Sequence, residues 1–163
     1  MNGDPPRNSA ARAGRLPGER TVVNRQRQKV VRLAALRAFL ERASRLVFPA
    51  GASVTVCLVS AAEMARWNLR YRGKRGPTDV LSFSAGGDNG NGLGIVRAQE
   101  RGDIAIAPAV AGRNARALGR GLDDELRVLV LHGLLHLAGY DHETDTGQMA
   151  RRELRLRRRL GIG

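Results

Sequence analysis

Three imidazoles that converge on one point can hold a transition metal, and this chain has three histidines spaced to do so. They fall within one segment, His132-Gly133-Leu134-Leu135-His136-Leu137-Ala138-Gly139-Tyr140-Asp141-His142. His132 and His136 are four residues apart, so on a helix both rings leave the same face. Gly139 ends such a helix and lets the chain turn His142 back towards them. A lone histidine on an apolar helix is usually just packed there. Three together, two of them on a face otherwise made of leucine, point to metal. Three protein ligands leave tetrahedral zinc one position for water or substrate, the composition of a catalytic centre. Nickel and other transition ions also accept three imidazoles, so the spacing does not choose the metal.

The chemistry narrows from what the segment lacks. A zincin peptidase needs His-Glu-x-x-His, with the glutamate as general base. Here Gly133 stands in that place, which counts against a peptidase, although another zinc hydrolase remains the main alternative. Asp141 and Glu143 follow the turn. Asp141 either orients a ligand histidine or simply forms the turn. Either carboxylate could also close the site as a fourth ligand and make the metal structural.

The elements that must position these residues are legible from periodicity and breakers. Thr21–Asn24 is a short β-prone run. A helix is predicted over about 28–47, with Leu33, Leu36, Leu40, Ala43 and Val47 on one stripe. Ser53–Val59 is a strand rich in β-branched residues. Ser60 and Glu63 form a capping box that opens a helix to about Arg70. Gly73, Gly76 and Pro77 mark a loop, and Val80–Phe83 is the next strand. Residues 86–94 hold five Gly and two Asn and predict a flexible loop. Asp103–Ala107 is a strand ended by Pro108, and 109–118 is a helix stopped by Gly119. A strongly apolar helix runs over about 123–138, opened by Asp123, Asp124 and Glu125. A last helix begins near Asp145, where Asp145 and Gln148 resemble a capping box, and ends near Leu160. The order β-α-β-α-β-β-α-α-α predicts an α/β (α+β) domain over residues 20–163. It should hold one small mixed sheet of about four strands packed with about five helices. Residues 1–19, rich in Gly, Pro, Arg and Ala, predict a disordered basic tail.

Composition bounds the partners. The 163 residues carry 28 basic against 15 acidic side chains, a formal net charge of +13. That surplus favours a polyanion: RNA, DNA or an anionic membrane. The last helix is a focus, with Arg151, Arg152, Arg155, Arg157, Arg158 and Arg159 around a single Glu153. Aromatics are only 4%, which disfavours a reader built on exposed stacking platforms. One cysteine, Cys57, cannot form an internal disulfide, so the fold does not depend on an oxidising compartment. No apolar stretch is long enough to span a membrane, and no apolar segment follows the N-terminal arginines as in a secretory signal. A cytoplasmic location is the expectation.

The segment His132–His142 resembles the signature of the YbeY family, His-Gly-x-Leu-His-Leu-x-Gly-Tyr-Asp-His, and matches every fixed position. Asn68-Leu69-Arg70-Tyr71-Arg72-Gly73-Lys74 with Pro77-Thr78-Asp79-Val80-Leu81-Ser82-Phe83 resembles a second family segment. Gly102-Asp103-Ile104-Ala105-Ile106 resembles a third. The likeness covers roughly residues 50–160. It departs at Arg75-Gly76, where an acidic residue often follows the lysine, and at Ser84, where proline is usual. The resemblance implies a single-strand-specific, metal-dependent endoribonuclease in 16S rRNA 3′-end maturation and ribosome quality control. Its partners would be single-stranded RNA and the small ribosomal subunit, with no DNA and no membrane. The implied metal is zinc, one ion per chain, held by His132, His136 and His142. Arg72 transfers as the catalytic or substrate-fixing arginine. Lys74 and Arg75 extend the basic patch as phosphate contacts that read no sequence. A non-catalytic assembly factor stabilised by its metal is the other reading. The chemistry agrees with the enzyme: phosphodiester cleavage builds charge on non-bridging oxygens, which a divalent ion and a guanidinium both stabilise. The nucleophile, a water activated by the metal or the RNA 2′-hydroxyl, is left open.

Overall fold

The computed structural model describes residues 18–85 and 99–163. Strand β1 (Arg20–Asn24) is followed by α1 (Leu33–Val47), β2 (Ser53–Leu58), α2 (Ala61–Arg72), β3 (Val80–Ser84) and β4 (Glu100–Ile106). Three helices complete the order: α3 (Pro108–Ala117), α4 (Leu122–Leu137) and α5 (Gln148–Leu160). The strands form one mixed sheet in the order β1-β2-β4-β3. The β1–β2 and β2–β4 pairs are parallel and β3–β4 is antiparallel, so β3 is an edge strand. Among the described residues this is the expected α/β architecture of four strands and five helices.

Every residue of β2 is buried, which follows from helices covering both faces of the sheet. Val54, Val56 and Leu58 point into one core with Ile104, Ile106 and the apolar stripes of α1, α4 and α5. Cys57 and Val59 point the other way, into a second core with Met64 and Trp67 of α2. Helix α4 is therefore apolar nearly all round, because it lies between the sheet and other helices.

Several boundaries shift for local reasons. Helix α1 begins at Leu33, later than periodicity predicts, because the buried Gln26 side chain holds Lys29 in a turn. Its Oε1 accepts from Lys29 N at 2.9 Å and its Nε2 donates to Lys29 O at 2.9 Å. Gln28 is then free to accept from Ala61 N at the start of α2 (3.0 Å). The Ser60 cap is as predicted, accepting from Glu63 N at 3.1 Å. Helix α5 begins at Gln148, not Asp145. The Asp145 carboxylate reaches forward to accept from Gly147 N (2.6 Å) and Met149 N (2.8 Å), and so caps from two residues upstream. Strand β4 starts at Glu100, ahead of the predicted Asp103, because pairing with β2 overrides the poor propensity of its first residues. The expected tail over 1–19 lies outside the described residues except for its end. There Gly18 N donates to Ser53 Oγ (2.9 Å) and Glu19 O accepts from Val54 N (3.0 Å), so β1 is anchored before its first residue. The expected loop over 86–94 also lies outside the described residues.

Candidate metal centre

The site begins with the packing of α4. Leu131, Leu134 and Leu135 are fully buried, which fixes the rotation of the helix and turns His132 and His136 together towards a cleft. Gly133 permits the close approach: a Cβ there would stand 2.7 Å from Ile104 Cγ2 of β4. Gly139, at φ +95°, ends the helix in a conformation that L side chains rarely adopt. The chain turns there and returns His142 to the other two rings. The Asp141 carboxylate holds the turn by accepting from Glu143 N (3.0 Å) and Thr144 Oγ1 (3.2 Å). Asp141 is thus a turn-former, one of the two roles that the sequence left open.

One nitrogen from each of the three rings falls within 4.8 Å of the others, and no other His, Cys, Asp or Glu among the described residues joins this group. Ring centroids are 4.7, 5.6 and 5.4 Å apart. The Nε2 atoms of His132 and His136 face each other at 3.1 Å. A tetrahedral ion with bonds of about 2.0–2.1 Å sets its ligand nitrogens roughly 3.4 Å apart, so this pair is spaced to share one ion. Burial holds His136 below the usual imidazole range, and the neighbouring His132 and His142 add to this, opposed by Asp141 and a hydrogen bond with the Tyr140 backbone. This favours neutral imidazole at His136, the form that binds metal.

The other wall of the cleft is β3. Residues 78–84 line it together with Tyr71, Arg72, the histidines and 139–143, enclosing about 740 Å³. Arg72 is placed by an aromatic cluster: Phe83 of β3 meets Tyr71 edge-on at 5.3 Å and Trp67 at 6.2 Å, fixing the end of α2 beside the strand. From there Arg72 Nη2 reaches across to Glu143 Oε1 at 3.4 Å. The Asn68 side chain donates to Gly76 O (2.8 Å) and pins the following loop. Lys74 and Arg75 sit in that loop, exposed, and do not line the cleft. Asp79 accepts from Asn114 of α3 (3.0 Å), and Ser82 donates to Gly133 O (3.5 Å), so both serve the packing of the wall.

The sequence pattern described as Endoribonuclease YbeY matches residues 21–161 of this chain. The chain belongs to the YbeY family. It is 44% identical over 128 residues to Endoribonuclease YbeY of Koribacter versatilis, covering 78% of this chain and 77% of that one. It is 38% identical over 146 residues to Endoribonuclease YbeY of Solibacter usitatus, covering 90% and 91% respectively. The solution structure of TM1509 from Thermotoga maritima is similar at a TM-score of 0.57 and 26% identity, covering 87% of this chain and 89% of that one. YbeY relatives are named for RNA cleavage, and membership makes this chain an RNA-cleaving hydrolase.

One residue of this YbeY-family site escaped the sequence reading. Glu153 of α5 places Oε2 3.1 Å from His132 Nδ1, while its Oε1 takes Arg157. Burial alone would raise the Glu153 carboxyl; the bonds from His132 and Arg157 outweigh it and hold it below the usual carboxylate range. The one signal in the sequence is that Glu153 is the only acidic residue of an otherwise arginine-rich helix.

Proposed function

We propose that this chain cleaves single-stranded RNA with a metal ion, zinc, held by His132, His136 and His142. In this reading it works in the cytoplasm on the 3′ end of 16S rRNA of the small ribosomal subunit and in ribosome quality control. Residues 20–163 form the catalytic domain. The observation that carries the reading is the gathering of three imidazole nitrogens within 4.8 Å, at the side of a cleft that Arg72 also lines. When bound, the metal would supply Lewis-acid stabilisation of phosphoryl oxygens.

The chain's own residues do the rest. The Arg72 guanidinium presents a fork of donors that fits two phosphate oxygens, and it loses only the long Glu143 contact by turning to them. Charge that builds on those oxygens in the transition state is met by a donor already in place. Lys74 and Arg75 extend the same rim and hold flanking phosphates by charge alone. A cleft of about 740 Å³ suits a few nucleotides of one strand. Of the aromatic rings, Phe39, Phe48, Phe83 and Trp67 are buried, and the half-buried Tyr71 and Tyr140 line the cleft. Gly133 bears on the peptidase alternative: the crowding by Ile104 leaves no space for a glutamate base there.

The test uses purified, zinc-loaded protein with matched single-stranded and duplex RNAs, with and without chelator. Cleavage of the single strand that stops on chelation and returns with zinc is the expected result. Intact RNA alongside peptide turnover would overturn it.

A further inference from the structure

We propose that Glu153 is a positioning residue of the metal centre: from helix α5 it holds His132 as the Nδ1–H tautomer and turns the Nε2 lone pair towards His136 and His142. The inference rests on the metal reading above and assigns a residue to it that the three-histidine set leaves out.

An ionised carboxylate can only accept hydrogen bonds. With Glu153 Oε2 3.1 Å from His132 Nδ1, the hydrogen of that ring sits on Nδ1. Nε2 is then the unprotonated atom, and it is Nε2 that faces His136 Nε2 at 3.1 Å. A histidine ligand whose second nitrogen is held by a carboxylate has its tautomer and ring angle fixed before metal arrives. Glu153 is itself fixed from two sides. Arg157, one turn further along α5, takes the other carboxylate oxygen. Met149, Leu156 and Leu160, at i−4, i+3 and i+7 from Glu153, are buried in the core on the same face of α5, so the carboxylate stands on a rigid support. Its side chain is 13% exposed, and the ring it meets is 27% exposed. An amphipathic helix of this composition requires no acidic residue at that position. Asp141, which sequence offered for this task, is spent on its own turn.

The competing explanation is that Glu153 is only a staple between α4 and α5. The two differ in what substitution does to the ring and to metal affinity. The experiment compares wild type with E153A, E153Q and E153D by chelator competition for Zn²⁺ and by nitrogen-15 NMR of the metal-free imidazoles at pH 8. We expect E153A to bind Zn²⁺ about 10- to 100-fold more weakly and to lose the fixed Nδ1–H signature of His132. E153Q keeps an acceptor oxygen and should retain the tautomer and most of the affinity. E153D keeps the charge but falls short of the ring, and should resemble E153A. If E153A fails to fold, the contrast between E153Q and E153D decides. Wild-type affinity and an unchanged His132 tautomer in E153D would overturn the proposal while leaving the metal site intact. Wild-type protein that takes up no Zn²⁺ would overturn the metal reading itself, and this assignment with it.

Discussion

The two sides of the cleft are built in different ways. His132 and His136 stand on α4, where Leu131, Leu134 and Leu135 are fully buried and the backbone touches β4 through Gly133. Arg72 and Glu143 stand at the end of α2 and in the turn after α4, 39% and 61% exposed, and meet at only 3.4 Å. An exposed pair of this kind contributes little to stability. The histidine side is therefore set by packing before any ligand arrives. The arginine side is free to follow a phosphate, because the contact it gives up is weak.

Substitutions can break or sharpen this contrast. The largest effect is expected from H136A, which should reduce RNA cleavage to background and lower bound zinc in elemental analysis, with little change in the thermal midpoint. Next, R72A should lose roughly 10²–10³-fold in cleavage rate with zinc content unchanged, and R72K should recover part of it. Loss of zinc in R72A would show that the two sides are one unit. G133A attacks the packed side directly. Its Cβ would press on Ile104 from 2.7 Å, and overpacking of this kind costs about 1–3 kcal/mol, measured by denaturant unfolding. Zinc affinity should fall with it, since His132 and His136 move with the helix. E143A should change stability by less than about 1 kcal/mol, and a larger loss would mean that the arginine side is held as firmly as the other. The smallest effect concerns a reference point under α2. Burial pushes the Cys57 thiol up to about 11, against a lowering by Arg25, so at pH 8 it stays protonated. A thiol reagent should leave the folded protein unlabelled until denaturant is added.

Much of this was legible in the sequence because it is local. The i, i+4 histidines, the Gly139 stop and the Ser60 cap each depend on neighbours within a few residues, and the order of strands and helices follows from periodicity. What depends on contacts across the chain was not legible. Gln26 delays α1 through a side chain that periodicity does not register. Glu153 went unread as a partner for His132 because that contact exists only through the packing of α5 beside α4. Lys74 and Arg75 share a motif with Arg72, yet only Arg72 lines the cleft, because the helix ends between them. The metal ligands themselves needed no long-range information beyond one turn of chain.

The parallel strands have a consequence for timing. Pairing β1 with β2 and β2 with β4 joins stretches distant in sequence, the kind of contact that forms late in folding. Arg72 lies between β2 and β4, ahead of the histidines of α4, and α5, which bears Glu153, comes last. A half-synthesised chain thus carries the basic rim without the assembled histidines behind it. His132 and Glu153 can meet only once α5 has been made and packed against α4.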